Sequence, residues 1–186
     1  MASETASHPT HDVLIIGAGP AGLSVAQQLL ELGRTPVVLE AGDTAGWSWS
    51  DMPERLHLLS PWKVNSLPGS RVDLTNQHVQ HSREEYYDYL RSYAQRFDID
   101  IRFGRRVEQL ARDDEGFEVR TCAGESFRAT YVVNATGYFA NPHIPEWPGL
   151  DDTDIPWLHV ADYKSPEQLA DDLDTHRARV LIVGAR

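Results

Sequence analysis

A chain of 186 residues with 41% hydrophobic side chains holds enough apolar material for one core or slightly more. Its formal net charge of −11 argues against nucleic acid or an anionic membrane surface as the main partner, since both reward clustered Lys and Arg. The single cysteine, Cys122, excludes an internal disulfide framework and a Cys-x-x-Cys redox pair within these residues, and no apolar run reaches signal or membrane-spanning length, so the expectation is a cytoplasmic protein.

Residues 1–11 are polar and read as a disordered tail in which His8 and His11 have no assigned task. The run Val13-Leu14-Ile15-Ile16 is apolar on both alternate faces, which predicts a buried parallel strand. Residues 21–32 set Leu23, Ala26 and Leu29 or Leu30 at helical spacing, and Gly33 closes that helix. Residues 36–39 predict a second buried strand. The unit is βαβ, and its turn is Gly17-Ala18-Gly19-Pro20-Ala21-Gly22.

That turn has the G-x-G-x-x-G spacing, with a strand before it, a helix after it and an acid, Glu40, at the end of the second strand. Each residue type has a physical task. Gly17 permits the tight turn, Gly19 lets backbone approach a pyrophosphate, and Gly22 lets helix and strand pack closely. The helix N-terminus offers N–H groups and a positive dipole end to phosphate. Glu40 is expected to accept hydrogen bonds from ribose hydroxyls without supporting the fold.

A plain nicotinamide-binding unit would pass from Glu40 through a short loop into another helix. Here the Gly- and Trp-rich stretch "AGDTAGWSWSD" and the loop "RLHLLSPWKVNSLPG" intervene, a long irregular segment of the sort that wraps a second ligand moiety. Ser82 with Glu85 then forms a capping box, and Tyr86, Tyr89 or Leu90, Tyr93 and Phe97 make one apolar helical face, read as core. Residues 99–103 predict a strand. Residues 107–111, 117–121 and 126–129 predict a β-meander, and 131–134 a further buried strand that returns to the parallel sheet. Cys122 falls in a turn of the meander. His78 and His81 lie in a loop without a nearby cysteine, and no carboxylate triad or HExxH pattern accompanies them, so no metal site is expected; no Gly-x-Ser-x-Gly elbow supports a hydrolase.

The cradle at 17–22, the acid at 40, the meander and "VVNATG" together resemble flavoproteins with two dinucleotide-binding domains. The following "YFANPHIPEWPGL" resembles flavin-containing monooxygenases, most of all the bacterial flavoproteins of the arsenic-resistance or cation-efflux type. The resemblance implies a Rossmann-like α/β FAD-binding domain over 12–150, with a parallel sheet and a meander crossover. It implies a linker and the first strand of an NAD(P)H-binding domain over 151–186, in a longer protein. It implies that Gly17, Gly19, Pro20, Ala21 and Gly22 hold the FAD pyrophosphate, and Glu40 and Ala41 the ribose end. Gly46 and Trp49 match a Gly-Gly-x-Trp element beside the flavin, with Trp47 in place of the second glycine. Val107 falls where backbone groups hold the adenine, and Ala135, Thr136 and Gly137 match the turn near FAD at which the chain leaves its domain.

His159 and Tyr163 fit two positions of the monooxygenase fingerprint, whereas Thr153 and Ile155 stand where it has Phe and Gly. "VLIVGAR" resembles the opening of an NADPH motif, with Gly184 as its first glycine and Arg186 at the second. The implied activity is oxygenation of a small molecule by molecular oxygen, through FAD reduced by NADPH and a C4a-(hydro)peroxyflavin. The alternatives are a disulfide oxidoreductase of the thioredoxin-reductase kind, or an inactive FAD-binding fragment.

Overall fold

Side chains alternate across a strand, so the first apolar run sends Val13 and Ile15 into one core cluster and Leu14 and Ile16 into another. In the computed structural model, which describes residues 10–70, 75, 77–139, 142–150, 152–170 and 179–184, this run ends β1 (Thr10–Ile16). The strand begins inside the stretch expected to be a tail: Thr10 and His11 pair with Arg128 and Ala129 of a later strand. The His11 ring lies 6.2 Å from that of Phe127, and burial, with Arg102 adding to it, holds the imidazole below its ordinary pKa. Residues 1–9, with His8, lie outside the described residues.

After β1 come α1 (Pro20–Glu31), β2 (Val37–Leu39), the single turns α2 (Trp47–Ser50) and α3 (Trp62–Asn65), and the long α4 (Arg83–Arg96). Then follow β3 (Ile101–Arg102), β4 (Val107–Asp113), β5 (Gly116–Thr121), β6 (Ser126–Asn134) and α5 (Glu167–Ala170). The strands form one sheet in the order β3-β2-β1-β6-β5-β4. Strands β3, β2, β1 and β6 are parallel, and β5 and β4 continue antiparallel.

The two strands expected over 126–129 and 131–134 are one. A strand has two edges, so β6 closes the meander against β5 on one edge and joins β1 on the other. It is also less buried than its apolar run implies. Tyr131 is 56% exposed, while Val132 and Val133 each pack against a different cluster.

On one face, α1 and α4 contribute Leu23, Ala26, Tyr86, Leu90 and Tyr93 to a core with Val13, Ile15 and Val38. The aromatic stripe of α4 is therefore core, as its spacing implies. On the other face, Val119, Phe127 and Ala129 pack with Leu14, Ile16, Val37 and Leu39. The sheet curls over this second face. Arg102 of β3 lies 5.6 Å from the Phe127 ring centroid, and Arg105 pairs with Glu125 at 2.6 Å, although β3 and β6 are separated by two strands.

Helix α4 opens with the expected capping box. Glu85 N–H donates to Ser82 Oγ at 3.2 Å, and Ser82 N–H donates to Glu85 Oε2 at 2.8 Å. The second bond holds the Glu85 carboxyl below its usual pKa, so its contribution is present above the carboxylate range and fades as pH falls through it. Ser82→Ala should lower stability by about 1 kcal/mol, read as a shift in the urea midpoint. An unshifted midpoint would show that the box adds nothing to this helix.

Beyond β6 most of the described residues are exposed. Val180, Leu181, Ile182 and Val183 are all exposed and make no ladder among the described residues, in contrast to the strand expected there. Strands depend on a neighbour for their backbone hydrogen bonds, and apolarity alone does not supply one. Among the described residues no helix is long and apolar enough to cross a membrane.

Candidate functional site

Strand β1 has β2 on one edge and β6 on the other, so the chain leaving it at Gly17 enters the crevice at the carboxyl ends of the parallel strands. Gly17 turns there at φ 105°, a left-handed conformation that favours glycine, and its N–H donates to Leu39 O at 2.8 Å. A Cβ on Gly17 would lie 2.5 Å from Ala135 O, so the 135–137 turn is pressed against the cradle. A Cβ on Gly22 would lie 1.9 Å from Gly17 O, which confirms the close helix–strand approach read from the spacing. A Cβ on Gly19 would meet nothing within 4 Å, so its backbone faces open space.

Helix α1 starts at this open side. Gly19 is its N-cap, no side chain caps it, Pro20 takes the first turn, and no acidic residue lies in that turn. A twelve-residue helix with a bare positive end offers an anion site. The three glycines, the open face over Gly19 and the uncapped helix fit a dinucleotide pyrophosphate.

Glu40 is buried, at 8% exposure, and its carboxylate already holds the cradle together. Ala18 N–H donates to Oε2 at 2.7 Å and Gly42 N–H donates to Oε1 at 2.8 Å. The expectation of an acid dispensable to the fold is thereby corrected. A carboxylate has about four acceptor positions, so each oxygen keeps a lone pair for a ribose hydroxyl. Ala41, half-buried, follows it into the loop.

Gly46, at φ 71°, donates its N–H to Ala18 O at 2.8 Å, which ties the loop after Glu40 to the same turn. It is the N-cap of α2, where Trp47 stacks over Gly42 and Trp49 sits edge-on to Tyr86 at 4.6 Å. Burial pushes the Tyr86 phenol up to about 12, so Trp49 rests on a neutral ring. Val107 begins β4 two residues after Arg105, whose N–H donates to Glu40 O at 2.7 Å; Gly104 N–H donates to Gly42 O at 2.8 Å. The cradle, Glu40, Gly46, the approach to Val107 and the 135–137 turn thus converge.

His159 and Tyr163 are not tied to that cluster. Ala161 N–H donates to His159 Nδ1 at 3.1 Å, a local turn contact, and Tyr163 N–H donates to Val160 O at 3.3 Å. Arg186 lies outside the described residues, while Gly184 adopts φ 89°. No group of three or more His, Cys, Asp or Glu that could hold a metal occurs among the described residues, and His81 instead stacks on Trp62 at 4.5 Å. One contributor escaped the sequence reading. Asn134 Oδ1 accepts from Thr136 N–H at 3.2 Å and from Thr136 Oγ1 at 2.8 Å, which shapes the 135–137 turn. The Asn-x-Thr spacing carried that Asx-turn signal.

Comparison with known proteins shows the family and the fold. The pyridine nucleotide-disulphide oxidoreductase family matches residues 14–186. Indole-3-pyruvate monooxygenase YUCCA1 of Oryza sativa subsp. japonica is 33% identical over 175 residues, covering 92% of this chain and 41% of that protein. The flavin-containing monooxygenase of Stenotrophomonas maltophilia superposes with a TM-score of 0.77 at 30% identity, covering 86% of this chain and 48% of that one. The bacillithiol disulfide reductase Bdr of Bacillus cereus gives 0.68 at 29% identity, covering 76% and 44%. The chain spans about half the length of such relatives, or somewhat less.

Fold and site define an α/β flavoprotein resembling the flavin-containing monooxygenases. The chain belongs to the pyridine nucleotide-disulphide oxidoreductase family, and its relatives there are flavin-dependent monooxygenases and oxidoreductases.

Proposed function

We propose that this chain is the FAD-binding part of an NAD(P)H-dependent flavoprotein monooxygenase that oxygenates a small molecule with molecular oxygen. The observation that carries the reading is the convergence on one turn. Gly17 abuts Ala135, Ala18 is held by Glu40, and Gly46 bonds to Ala18. The backbone at Gly19, Pro20, Ala21 and Gly22 would hold the pyrophosphate, and Glu40 with Ala41 the ribose. Backbone groups at Val107 would meet the adenine, while Gly46, Trp49 and the Ala135, Thr136 and Gly137 turn would flank the flavin. Bound FAD would supply hydride acceptance and oxygen activation, chemistry that belongs to the cofactor. The protein's part is orientation and exclusion of water by the Trp49 and Tyr86 rings. The apolar run before Gly184 is assigned to the opening of the unit that takes NADPH.

The test is direct. The purified chain, incubated with FAD and desalted, should stay yellow with the flavin absorbance bands. A colourless chain that cannot be reconstituted overturns the reading.

The family name and the bacillithiol reductase likeness favour a second reading, a disulfide reductase. Cys122 does not support it. Its N–H donates to Arg106 O at 2.9 Å, which sets it beside Val107, at the end of the site assigned to the adenine and away from Trp49. Reduced-nicotinamide consumption that depends on a disulfide acceptor rather than on oxygen would favour the reductase.

A further inference from the structure

Helix ends leave carbonyl groups without partners, and cations suit them. Helix α2, which carries Trp49, ends at Ser50, and the chain leaving it presents three consecutive carbonyls at Ser50, Asp51 and Met52. All three are taken by cationic side chains from distant segments. Arg83, at the start of α4, donates from Nη1 to Ser50 O at 2.5 Å and to Met52 O at 3.2 Å. Lys164 donates from Nζ to Asp51 O at 2.6 Å, and its ammonium also lies 3.0 Å from Asp51 Oδ2.

Lys164 belongs to residues 161–168, which organise themselves locally. Its third donor goes to Ala161 O at 3.0 Å, its N–H donates to Gln168 Oε1 at 2.9 Å, and Gln168 Nε2 donates to Asp162 O at 2.9 Å. The backbone docks as well, because Glu54 N–H donates to Lys164 O at 2.8 Å. The nearby Arg55–Glu167 pair is exposed on both sides and adds little. An ammonium has three donors, and here two go to backbone carbonyls while the third faces the exposed Asp51 carboxylate. That is more than a surface lysine requires.

We infer that Lys164 is a positioning residue of the flavin site. It pins residues 51–55, and through them α2 and Trp49, between the strap at 161–168 and α4. The inference rests on the proposal that FAD binds with its flavin beside Gly46 and Trp49. It concerns the residue that follows Tyr163. The segment bearing His159 and Tyr163 acts on the flavin site through this ammonium, since neither of those side chains reaches the cradle cluster.

The experiment uses Lys164→Met, which keeps the alkyl stem and removes the donors, with Lys164→Arg as the rescue. In the flavin-free chain, Lys164→Met should speed hydrogen exchange at the Glu54 amide about tenfold, while exchange in β1 stays unchanged. In the FAD-loaded chain it should shift the fluorescence of the bound flavin and speed FAD release about three- to tenfold, and Lys164→Arg should restore both to within about twofold. Unchanged Glu54 exchange overturns the docking. Faster Glu54 exchange with an unaltered flavin signal and release rate overturns the positioning role and leaves only a structural clasp. If the unsubstituted chain takes no FAD, the flavin reading and the positioning role fail together, and Glu54 exchange alone decides the docking.

Discussion

Gly22→Ala should abolish FAD retention and destabilise the chain, against the direction that helix propensity gives. Inside a helix, alanine is ordinarily better than glycine by about 0.5–1 kcal/mol. Here the added methyl would lie 1.9 Å from Gly17 O, 3.1 Å from Gly17 C and 3.4 Å from Ile15 Cγ2. The first two are backbone atoms of the cradle, so no rotamer change relieves the contact. The helix must move off the strand, or the 17–22 turn must open. Overpacking of this kind costs about 1–3 kcal/mol, and more where only backbone can yield. Because the displaced atoms are those proposed to hold the pyrophosphate, affinity for FAD should fall at least about a hundredfold, a loss of roughly 3 kcal/mol.

Gly19→Ala is the control. Its Cβ meets nothing within 4 Å, so stability without FAD should stay within about 0.5 kcal/mol, while FAD affinity drops because the methyl occupies the open face. Urea midpoints and equilibrium FAD titrations of both variants check the pair. A Gly22→Ala chain as stable as the parent would refute the close packing, and unchanged FAD binding by Gly19→Ala would remove the pyrophosphate from that face.

Glu40→Ala should weaken both the fold and FAD binding. Removing the carboxylate leaves the buried N–H groups of Ala18 and Gly42 without acceptors. A buried donor without a partner costs about 1–3 kcal/mol, so the pair together costs roughly 2–6 kcal/mol. Loss of the proposed charge-assisted bonds to ribose should add a ten- to hundredfold fall in FAD affinity, about 1.5–3 kcal/mol. Glu40→Gln should fall between, because its amide keeps one oxygen but points NH₂ at a second donor. Thermal unfolding without FAD, set beside FAD titration, separates the two contributions. Lost affinity with unchanged stability would make Glu40 a ribose acceptor alone. Lost stability with unchanged affinity would confine it to the cradle's architecture.

The sequence by itself determined the βαβ unit, the cradle, the capping box of α4 and the apolar faces, because each is written in spacings of a few residues. Val13 to Ile16 had to be buried on both faces, Gly17 to Gly22 had to turn tightly, and Ser82 had to meet Glu85, whatever the rest of the chain did. Contacts between segments far apart in the chain were decided only by the tertiary structure. Nothing local shows that one strand, β6, uses both its edges, or that the 180–183 run has no pairing neighbour among the described residues. Nothing local shows that Glu40 spends two acceptor positions on Ala18 and Gly42, or that Arg83 and Lys164 close on the same helix end. A motif names the group that can bond. Only the fold, by setting which donors are buried within reach, decides the partner that takes it.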